Sequence, residues 1–283
     1  MYMENEFIPL DKSWIIRMGV LDVVNDHKDV LDFLDKQENL GDDLLALRNV
    51  VEVWNTDKPV DVGESGTLYR FFRFVSWKLG LNKEFVIRRT LKERKITNDP
   101  NIINLSQREL LKLDNNTSQW ASAKVLLGDS ERLENPPYKL KLTYEAVEHW
   151  NQKRVEGKSW EPKYDETIQR QAEAYCKLLN GEKFEFVSEQ AEDFCFAYVF
   201  GFETLEEGEK NWPSLRGHES DRIEAMEREL DNAKNGRGIE SKDHRVVQAI
   251  AMWAKLNNKV VNIKYPESVN KSWPQFWDFM KSI

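Results

Sequence analysis

The sequence predicts an α/β protein in two domains. Short apolar runs typical of β-strands, at residues 7–10, 185–187 and 259–265, alternate with longer segments that have the apolar spacing of helices. The 283 residues are enough for a large core and permit one or two domains. A polar segment containing glycine and proline, residues 151–163, is typical of a crossover between domains.

The composition indicates a globular protein of the cytoplasm. Hydrophobic residues make up 40% and charged residues 32% of the chain, and no apolar run reaches the length of a membrane span. The first residues are acidic where a secretion signal would be basic. A formal net charge of −8 argues against general nucleic-acid binding, although a local basic cleft is compatible with it. We therefore expect neither a membrane nor a nucleic acid as partner.

Cysteine and histidine usage predicts free thiols and no metal site. Cys176 and Cys195 fall in segments with apolar periodicity, which is typical of core thiols rather than of a disulfide. The four histidines show none of the spacings that zinc sites require. We therefore expect no structural metal.

The first helix is predicted to begin around Lys12, directly after the strand expected at residues 7–10. Lys12 and Ser13 lie in its first turn, and Arg17 shares a face with Ser13 because the two are four residues apart. A helix N-terminus carries partial positive charge, so cations and a hydroxyl gathered there are typical of an anion site. A capped helix with solvated charges is an equally good interpretation of this segment taken alone.

A glycine loop follows a strand predicted at residues 60–62. Gly63 and Gly66 lead into a predicted helix that carries Arg70, and hydroxyl residues flank the second glycine. Glycine lets backbone N–H groups approach an oxyanion closely, and hydroxyls add further donors. The loop is not of the Walker type, because no Gly-Lys-Ser/Thr follows. It predicts an anion-binding turn of another kind.

Two polar segments complete the first half of the chain. Residues 86–96, with Arg94, predict a strand and a basic loop, which by itself is best interpreted as a solvated charge run. Thr117 and Ser118 stand where hydroxyls would cap a helix that opens at Gln119.

Two helix starts in the second half carry charged residues. Asp193, beside Glu192, precedes an apolar helix predicted at residues 194–200, and an aspartate at that place is ordinarily a cap. Arg222 lies in the first turn of a further helix, for which Ser220 resembles the N-cap.

The C-terminal stretch combines a buried helix with cations. Asp243 stands where a cap would, and the apolar run at residues 246–254 predicts a buried helix beginning near His244. Arg245 in its first turn, together with Lys271 further on, makes physical sense mainly if an anion shares the site. The alternative is an arginine and a lysine on the surface that flank a core helix.

In chain order, these motifs resemble those of the enolpyruvyl transferases. The family's motifs include K-S-x-x-x-R, G-N-[SA]-G-T-x-x-R, S-S-Q, L-R-x-K-E-S-D-R-I, D-H-R and P-E-S-x-x-K-S. The segments similar to them are residues 12–17, 63–70, 117–119, 215–223, 243–245 and 266–272. D-H-R, H-E-S-D-R and the absence of a loop with a nucleophilic cysteine favour the EPSP synthase (3-phosphoshikimate 1-carboxyvinyltransferase) branch over the UDP-N-acetylglucosamine enzymes.

The resemblance implies a fold and a domain organisation. Members of the family are longer and consist of six βαβαββ units in two domains, an inside-out α/β barrel with helices inside and strands outside. This chain would be a member reduced in size. The resemblance implies one domain on the side of the shikimate phosphate, residues 13–155, and a second made of residues 1–12 and 156–283, with the ligand cleft between them.

The resemblance also implies a reaction. The enolpyruvyl group of phosphoenolpyruvate would be transferred to the 5-hydroxyl of shikimate 3-phosphate with release of phosphate, in the shikimate pathway of aromatic amino acid biosynthesis. The protein would be a monomer that needs no cofactor. Departures from the family pattern at Glu64, Lys95, Asn135, Ser214 and His218 leave two alternatives open. One is an enolpyruvyl transferase with another acceptor, and the other is a catalytically silent paralogue that only binds anions.

The same resemblance implies the roles of individual residues. Lys12 and Glu219 would handle proton transfer to phosphoenolpyruvate, and Asp193, with Glu192 as the fallback, would be the base on the attacking hydroxyl. The residues expected to bind phosphoenolpyruvate are Lys12, Gly66, Arg94, Gln119, Arg222, Arg245 and Lys271. The residues expected to bind shikimate 3-phosphate are Ser13, Arg17, Thr117, Ser118, Gln119, Tyr138 and Asp193.

Overall fold

Helices dominate the structure. The computed structural model describes residues 7–217 and 221–283, apart from the side chain of Thr90. Helix accounts for 58% of the described residues. Within the described ranges, no helix has both the length and the apolar character needed to cross a membrane.

Two short strands are present in the described part of the chain. They are β1 (Val60–Asp61) and β2 (Phe85–Val86), which pair in parallel. β1 confirms the strand predicted before the glycine loop, and β2 confirms the one predicted before the basic loop.

The expected two-domain α/β barrel of βαβαββ units is therefore wrong. The runs at residues 7–10, 185–187 and 259–265 form no extended strand. A strand is stable only when a neighbouring strand pairs with its backbone N–H and C=O groups, and these runs find at most isolated bridges, such as that between Ile239 and Ile263. Composition alone cannot tell so short an apolar run from a loop.

The chain divides into two compact units, each with its own hydrophobic core. The N-terminal unit is Leu10–Lys163. The C-terminal unit is Tyr164–Ile283 together with the described residues that precede Leu10.

The N-terminal unit is organised around its first helix. Its helices are α1 (Lys12–Val24), α2 (Asp29–Leu34), α3 (Asp42–Val53), α4 (Gly66–Lys78), α5 (Gln107–Leu110), α6 (Gln119–Leu126) and α7 (Tyr138–Val155), with 3-10 helices at Arg89–Glu93 and Pro100–Asn104. α1 contacts α2, α3, α4, α6 and α7, and most of its residues are buried. Large aromatic side chains, among them Trp14, Phe71 and Trp120, fill the core around it.

The C-terminal unit is organised around α12. Its helices are α8 (Glu166–Leu179), α9 (Phe194–Phe200), α10 (Leu205–Asn211), α11 (Arg222–Lys234), α12 (His244–Leu256) and α13 (Phe276–Ser282), with 3-10 helices at Ala191–Asp193, Pro213–Gly217 and Pro266–Lys271. α12 is buried from His244 to Ala254 and contacts α8, α9 and α11. The predicted buried helix beginning near His244 is confirmed.

Acidic and hydroxyl side chains cap the N-terminal ends of five of the longer helices, whereas α3 and α7 begin without a side-chain cap. Asp11, Ser65, Asp165, Asp221 and Asp243 each accept a hydrogen bond from a free backbone N–H at the start of a helix. The start predicted at Lys12 is confirmed. The N-cap of α11 is Asp221 rather than the predicted serine one residue earlier, which lies outside the described residues.

Candidate functional site

A buried polar cluster forms at the N-terminal ends of three helices of the C-terminal unit. Its members are Gln171, Asp193, Arg222, Asp243 and Arg245, each of them buried. Asp193 immediately precedes α9, Arg222 opens α11, and Asp243 caps α12. Buried charges are costly unless they are paired and hydrogen-bonded, so the partner of each charged group in this cluster indicates how its charge is stabilised.

Arg222 and Asp243 form an ion pair in the cluster. The Nε of Arg222 donates to Oδ2 of Asp243 at 2.8 Å, and Oδ1 of Asp243 accepts from the backbone N–H of Arg245 at 2.9 Å. One carboxylate therefore caps α12 and holds the first residue of α11.

The carboxylate of Asp193 is 0% exposed and accepts four hydrogen bonds. Its donors are Arg170 Nη2 at 2.7 Å, Gln171 Nε2 at 2.9 Å, and the backbone N–H groups of Glu189 at 3.0 Å and Gln190 at 3.3 Å. These four donors satisfy the polar atoms of a side chain that solvent does not reach. Two of its partners, Arg170 and Gln171, belong to no motif that the sequence singled out.

Gln171 links the expected base to an expected phosphoenolpyruvate arginine. Its Nε2 donates to Asp193, and its Oε1 accepts from Arg245 Nη1 at 3.1 Å. Gln171 is fully buried on α8. The two expected site residues are 52 positions apart in the printed sequence and meet at opposite ends of one amide.

Among the described residues, no carboxylate forms an ion pair with Arg245, whereas the other arginine of the cluster, Arg222, is paired with Asp243. Its side chain is 4% exposed, and Gln171 is the acceptor for its guanidinium. Its Nε is buried without a hydrogen-bond partner in the same part of the chain. A buried guanidinium at a helix N-terminus is unfavourable in isolation, because the helix dipole is positive at the same end. The site is therefore electrostatically suited to an anion.

Of the two remaining expected residues of this unit, Lys271 is described by the structure and Glu219 is not. Lys271 ends the 3-10 helix Pro266–Lys271, which packs on α12. The adjoining Ser272 accepts a hydrogen bond from the buried Gln248 of α12 at 3.2 Å. Glu219, the expected proton-transfer residue, and His218 lie outside the described residues.

In the N-terminal unit, Lys12 and Ser13 lie in the first turn of α1 as predicted. Lys12 Nζ donates to Asp43 Oδ2 of α3 at 2.7 Å. Ser13 Oγ accepts from Lys139 Nζ of α7 at 3.4 Å. Lys139 also lies over the ring of Tyr138, the first residue of α7, with 5.2 Å between the ammonium and the ring centre. Tyr138 itself is 54% exposed.

Arg17 joins α1 to α7. Its Nε donates to Thr143 Oγ1 at 2.7 Å, Nη2 donates to the carbonyl of Lys139 at 2.7 Å, and Nη1 donates to the carbonyl of Ser13 at 2.6 Å. Burial lowers the pKa of Arg17 to about 10, because desolvation penalises its charged form. Its guanidinium is thus engaged by the protein's own acceptors.

Three of the expected phosphoenolpyruvate residues converge at the start of α4. A Cβ atom built on Gly66 would lie 2.9 Å from Arg70 Nη1 and 3.2 Å from Arg94 Nη1. Arg70 Nη1 donates to Gln119 Oε1 at 2.8 Å, and Gln119 Nε2 donates to Thr67 Oγ1 at 2.8 Å. The absence of a side chain at Gly66 therefore leaves room for two guanidinium groups beside the glycine loop.

Asp114 positions Arg70 in this arrangement. Its Oδ2 accepts from Arg70 Nε at 2.7 Å and from Trp120 Nε1 at 3.0 Å, and its Oδ1 accepts from the backbone N–H of Thr97 at 2.9 Å. Residues 114–116 all have positive φ angles, which is uncommon in consecutive residues other than glycine. The chain turns sharply here before Thr117 and Ser118, the two expected hydroxyls ahead of α6.

The capping roles expected of these two hydroxyls are only partly seen. Thr117 Oγ1 accepts from the backbone N–H of Gln119 at 3.4 Å, whereas Ser118 occupies the N-cap position without a capping bond from its side chain. Glu64 departs from the pattern of the enolpyruvyl transferases, and its negative charge has a partner. The carboxylate of Glu64 is paired with Arg89 at 3.1 Å, so its charge is partly matched beside the glycine loop.

The structure thus gathers the expected residues into local groups within each unit. Lys12 and Ser13 with Arg17, and Gly66 with Arg94 and Gln119, lie in the N-terminal unit, whereas Asp193, Arg222, Arg245 and Lys271 lie in the C-terminal unit. The sequence did not predict the partners Asp43, Asp114, Arg170 and Gln171. Asp42-Asp43 resembles a D-D pair of the family, but which residue Asp43 would contact was not predictable, because these pairings form between distant segments.

Comparison with protein-family models, with curated proteins and with solved structures finds no match for this chain. The site must therefore be interpreted from its own residues.

Proposed function

We propose that the chain is an enolpyruvyl transferase that moves the enolpyruvyl group of phosphoenolpyruvate to the 5-hydroxyl of shikimate 3-phosphate. The observation that carries the proposal is the link through Gln171, which joins the expected base Asp193 to the expected phosphoenolpyruvate ligand Arg245. This link supports the proposal because it brings two residues that are far apart in the sequence onto one amide.

The chemistry requires many counter-charges, because two phosphorylated carboxylates must be brought together. Arginine, lysine, helix N-termini and backbone N–H groups provide them in proteins. Arg245 and Arg222 supply two buried guanidiniums at the starts of α12 and α11. The uncompensated charge of Arg245 supports binding of a carboxylate or phosphate at this point.

The N-terminal unit supplies a second group suited to anions. Arg70 and Arg94 reach into the space beside Gly66, and Gln119 is oriented by Arg70 and Thr67. Preorganised donors stabilise developing negative charge without having to reorient during the reaction. In the proposed reaction, Gly66, Arg94 and Gln119 bind phosphoenolpyruvate, while Lys12 protonates its methylene carbon.

In the proposed reaction, shikimate 3-phosphate is bound by the group around α1 and α7. Ser13 and Tyr138 lie close to the ammonium of Lys139, which adds a cation that the sequence did not assign. Arg17 contributes mainly by holding α1 and α7 together, because its donors already meet three acceptors. Asp193 accepts the proton of the attacking hydroxyl as its oxygen bonds to C2 of phosphoenolpyruvate. The tetrahedral adduct then collapses with loss of phosphate, and a proton of the new methyl group returns to Lys12 as the enol double bond re-forms.

A second candidate function is binding of the same anions without turnover. It is favoured by the environment of Asp193, whose carboxylate is buried and already accepts four hydrogen bonds. A base must come within hydrogen-bond reach of the proton that it abstracts. Catalysis therefore requires Asp193 to give up at least one of these donors, whereas binding alone does not.

The test is release of inorganic phosphate from purified protein given phosphoenolpyruvate and shikimate 3-phosphate. We expect release by the wild type, and its loss in Asp193→Asn but not in Glu192→Gln, the neighbouring carboxylate. The melting temperature of each variant shows whether it is folded. Binding of phosphoenolpyruvate without release would favour the second candidate, and release only with another hydroxyl compound would change the acceptor. If the wild type neither released phosphate nor bound phosphoenolpyruvate, both functions would be contradicted.

A further inference from the structure

The orientation of the Gln171 amide is determined by its partners. Arg245 can only donate hydrogen bonds and an ionised carboxylate can only accept them, so Oε1 faces Arg245 and Nε2 faces Asp193. Nε2 also lies 3.3 Å from the carbonyl oxygen of Glu192. The reversed amide would place donor against donor at Arg245, which makes this a single, well-defined arrangement.

Gln171 is a neutral group between a cation and an anion. The charge of Asp193 is matched by Arg170 at 2.7 Å, and that of Arg222 by Asp243 at 2.8 Å. Arg245 is held through an amide that carries no charge. A carboxylate in the position of this amide would form an ion pair with Arg245 and consume the charge that an anionic ligand needs.

We propose that Gln171 is a positioning and specificity-determining residue, which fixes the Arg245 guanidinium and keeps its charge available for an anionic ligand. The inference rests on the proposed function, since it takes phosphoenolpyruvate as the ligand. It adds a residue of α8 that no motif of the sequence marks. Gln171 acts through Arg245 and Asp193 and takes no part in the bond-making steps itself.

The variant Gln171→Glu tests the inference, because it changes charge with almost no change of shape. At neutral pH, phosphoenolpyruvate should bind roughly a hundredfold more weakly than to the wild type, since the new carboxylate lies beside Arg245. Near pH 5 the deficit should shrink as residue 171 becomes protonated, because a carboxylic acid again offers one donor and one acceptor. A purely structural role would not give this pH dependence.

The same α-helix provides a matched control. Gln169→Glu makes the same change of charge two residues away, where Gln169 Nε2 donates to Glu173 on the exposed side of α8. We expect its affinity to stay within about twofold of the wild type, as is usual for exposed charges. The charged groups Arg170, Asp193, Arg222, Asp243 and His244 and the ligand are the same in all proteins compared. A carboxylate at position 171 also faces Asp193, so the pH dependence expected of Gln171→Glu belongs to this pair of carboxylates.

A neutral variant covers the case in which Gln171→Glu fails to fold. Gln171→Met keeps the side-chain volume at position 171 and leaves Arg245 charged, but it removes the oxygen that accepts the hydrogen bond of Arg245. Phosphoenolpyruvate should therefore bind about tenfold more weakly at every pH. Wild-type affinity in either Gln171 variant at neutral pH would overturn the inference. A wild type that binds neither phosphoenolpyruvate nor inorganic phosphate would overturn it together with the proposed function.

The two proposals can fail separately. Phosphate release by Gln171→Glu with an unchanged KM for phosphoenolpyruvate would refute the role of Gln171 and leave the transferase intact. Binding that weakens as expected in the variants, in a wild type that releases no phosphate, would support the role of Gln171 and refute the transfer reaction.

Discussion

Arg222 and Asp243 form an ion pair whose side chains are 4% and 0% exposed, with 2.8 Å between Nε and Oδ2. The pair joins the first residue of α11 to the residue that caps α12. Arg222 was expected to contact phosphoenolpyruvate, and Asp243 was expected to cap a helix. The structure shows that they also hold two core helices in register.

Removing one partner of this pair should be strongly destabilising. We expect Arg222→Met to cost about 3–5 kcal/mol of unfolding free energy, because the buried Asp243 carboxylate loses its guanidinium. Thermal and urea unfolding measure the effect. The double variant Arg222→Met, Asp243→Asn should recover part of the loss, since the remaining group is neutral and can still cap α12.

The exposed pair of Arg237 and Asp231 is the control for this prediction, because both of its side chains are 60% exposed. Arg237→Met should leave the unfolding midpoint essentially unchanged, as solvent and salt screen such pairs. Equal losses in Arg222→Met and Arg237→Met would show that burial of the first pair does not govern stability.

Gly66→Ala should weaken the binding of phosphoenolpyruvate more than it weakens the fold. The new methyl would lie within 2.9 Å of Arg70 Nη1, and Asp114 restrains Arg70 from the other side. We expect the dissociation constant to rise about tenfold or more, as one misplaced charged hydrogen bond would require. Calorimetric titration measures this constant.

Gly63→Ala is the contrasting variant. Gly63 has a φ angle of +59°, and a Cβ atom added there would lie 3.5 Å from the Cβ of Ala46, which is an ordinary van der Waals contact. Alanine there should cost about 1 kcal/mol through its backbone conformation and leave the affinity unchanged. If the two variants lost affinity equally, the space beside Gly66 would have no special role.

Arg17→Lys should destabilise the N-terminal unit. The planar guanidinium meets acceptors on Ser13, Lys139 and Thr143 at the same time, and a single ammonium cannot reproduce that fork. We expect a loss of about 2 kcal/mol in unfolding free energy, measured with urea. Arg132→Lys is the control, because Arg132 lies half exposed over the ring of Tyr144, and it should leave the midpoint almost unchanged.

The two thiols should differ in reactivity. Burial raises the pKa of Cys195 to about 12, and it also raises the pKa of the partly buried Cys176. In Cys176→Ser we expect no reaction with a thiol reagent near pH 8 until denaturant is added, because the thiolate is the reactive form. A rapid reaction of the folded variant would contradict the burial of Cys195.

The same pKa shift predicts a loss of stability in alkali. An exposed cysteine titrates near 9, so the raised value in the folded state means that the neutral thiol is favoured by folding. This contribution is complete below about pH 9 and is lost as the pH rises towards about 12. Cys195→Ala should therefore lose less stability over this range than the wild type does, as measured by urea unfolding.

Helix starts were the most predictable part of this protein. The beginnings at Lys12 and His244 could be predicted because a capping side chain next to an apolar run acts over a few residues. The strands expected at residues 7–10, 185–187 and 259–265 could not, since a strand depends on a partner elsewhere in the chain. The barrel that the family resemblance implied is wrong, because a barrel needs many paired strands and the described residues contain two short ones.

The sequence by itself determined the helices that present Lys12, Gly66, Arg222 and Arg245 at their N-terminal ends, since caps and apolar periodicity are local properties. Only the tertiary structure decided which charges are matched. Arg222 meets Asp243, Asp193 meets Arg170, and Gln171 leaves Arg245 without a carboxylate in the described residues. Such pairings form between segments distant in the chain, and their strength comes from burial, which packing alone creates.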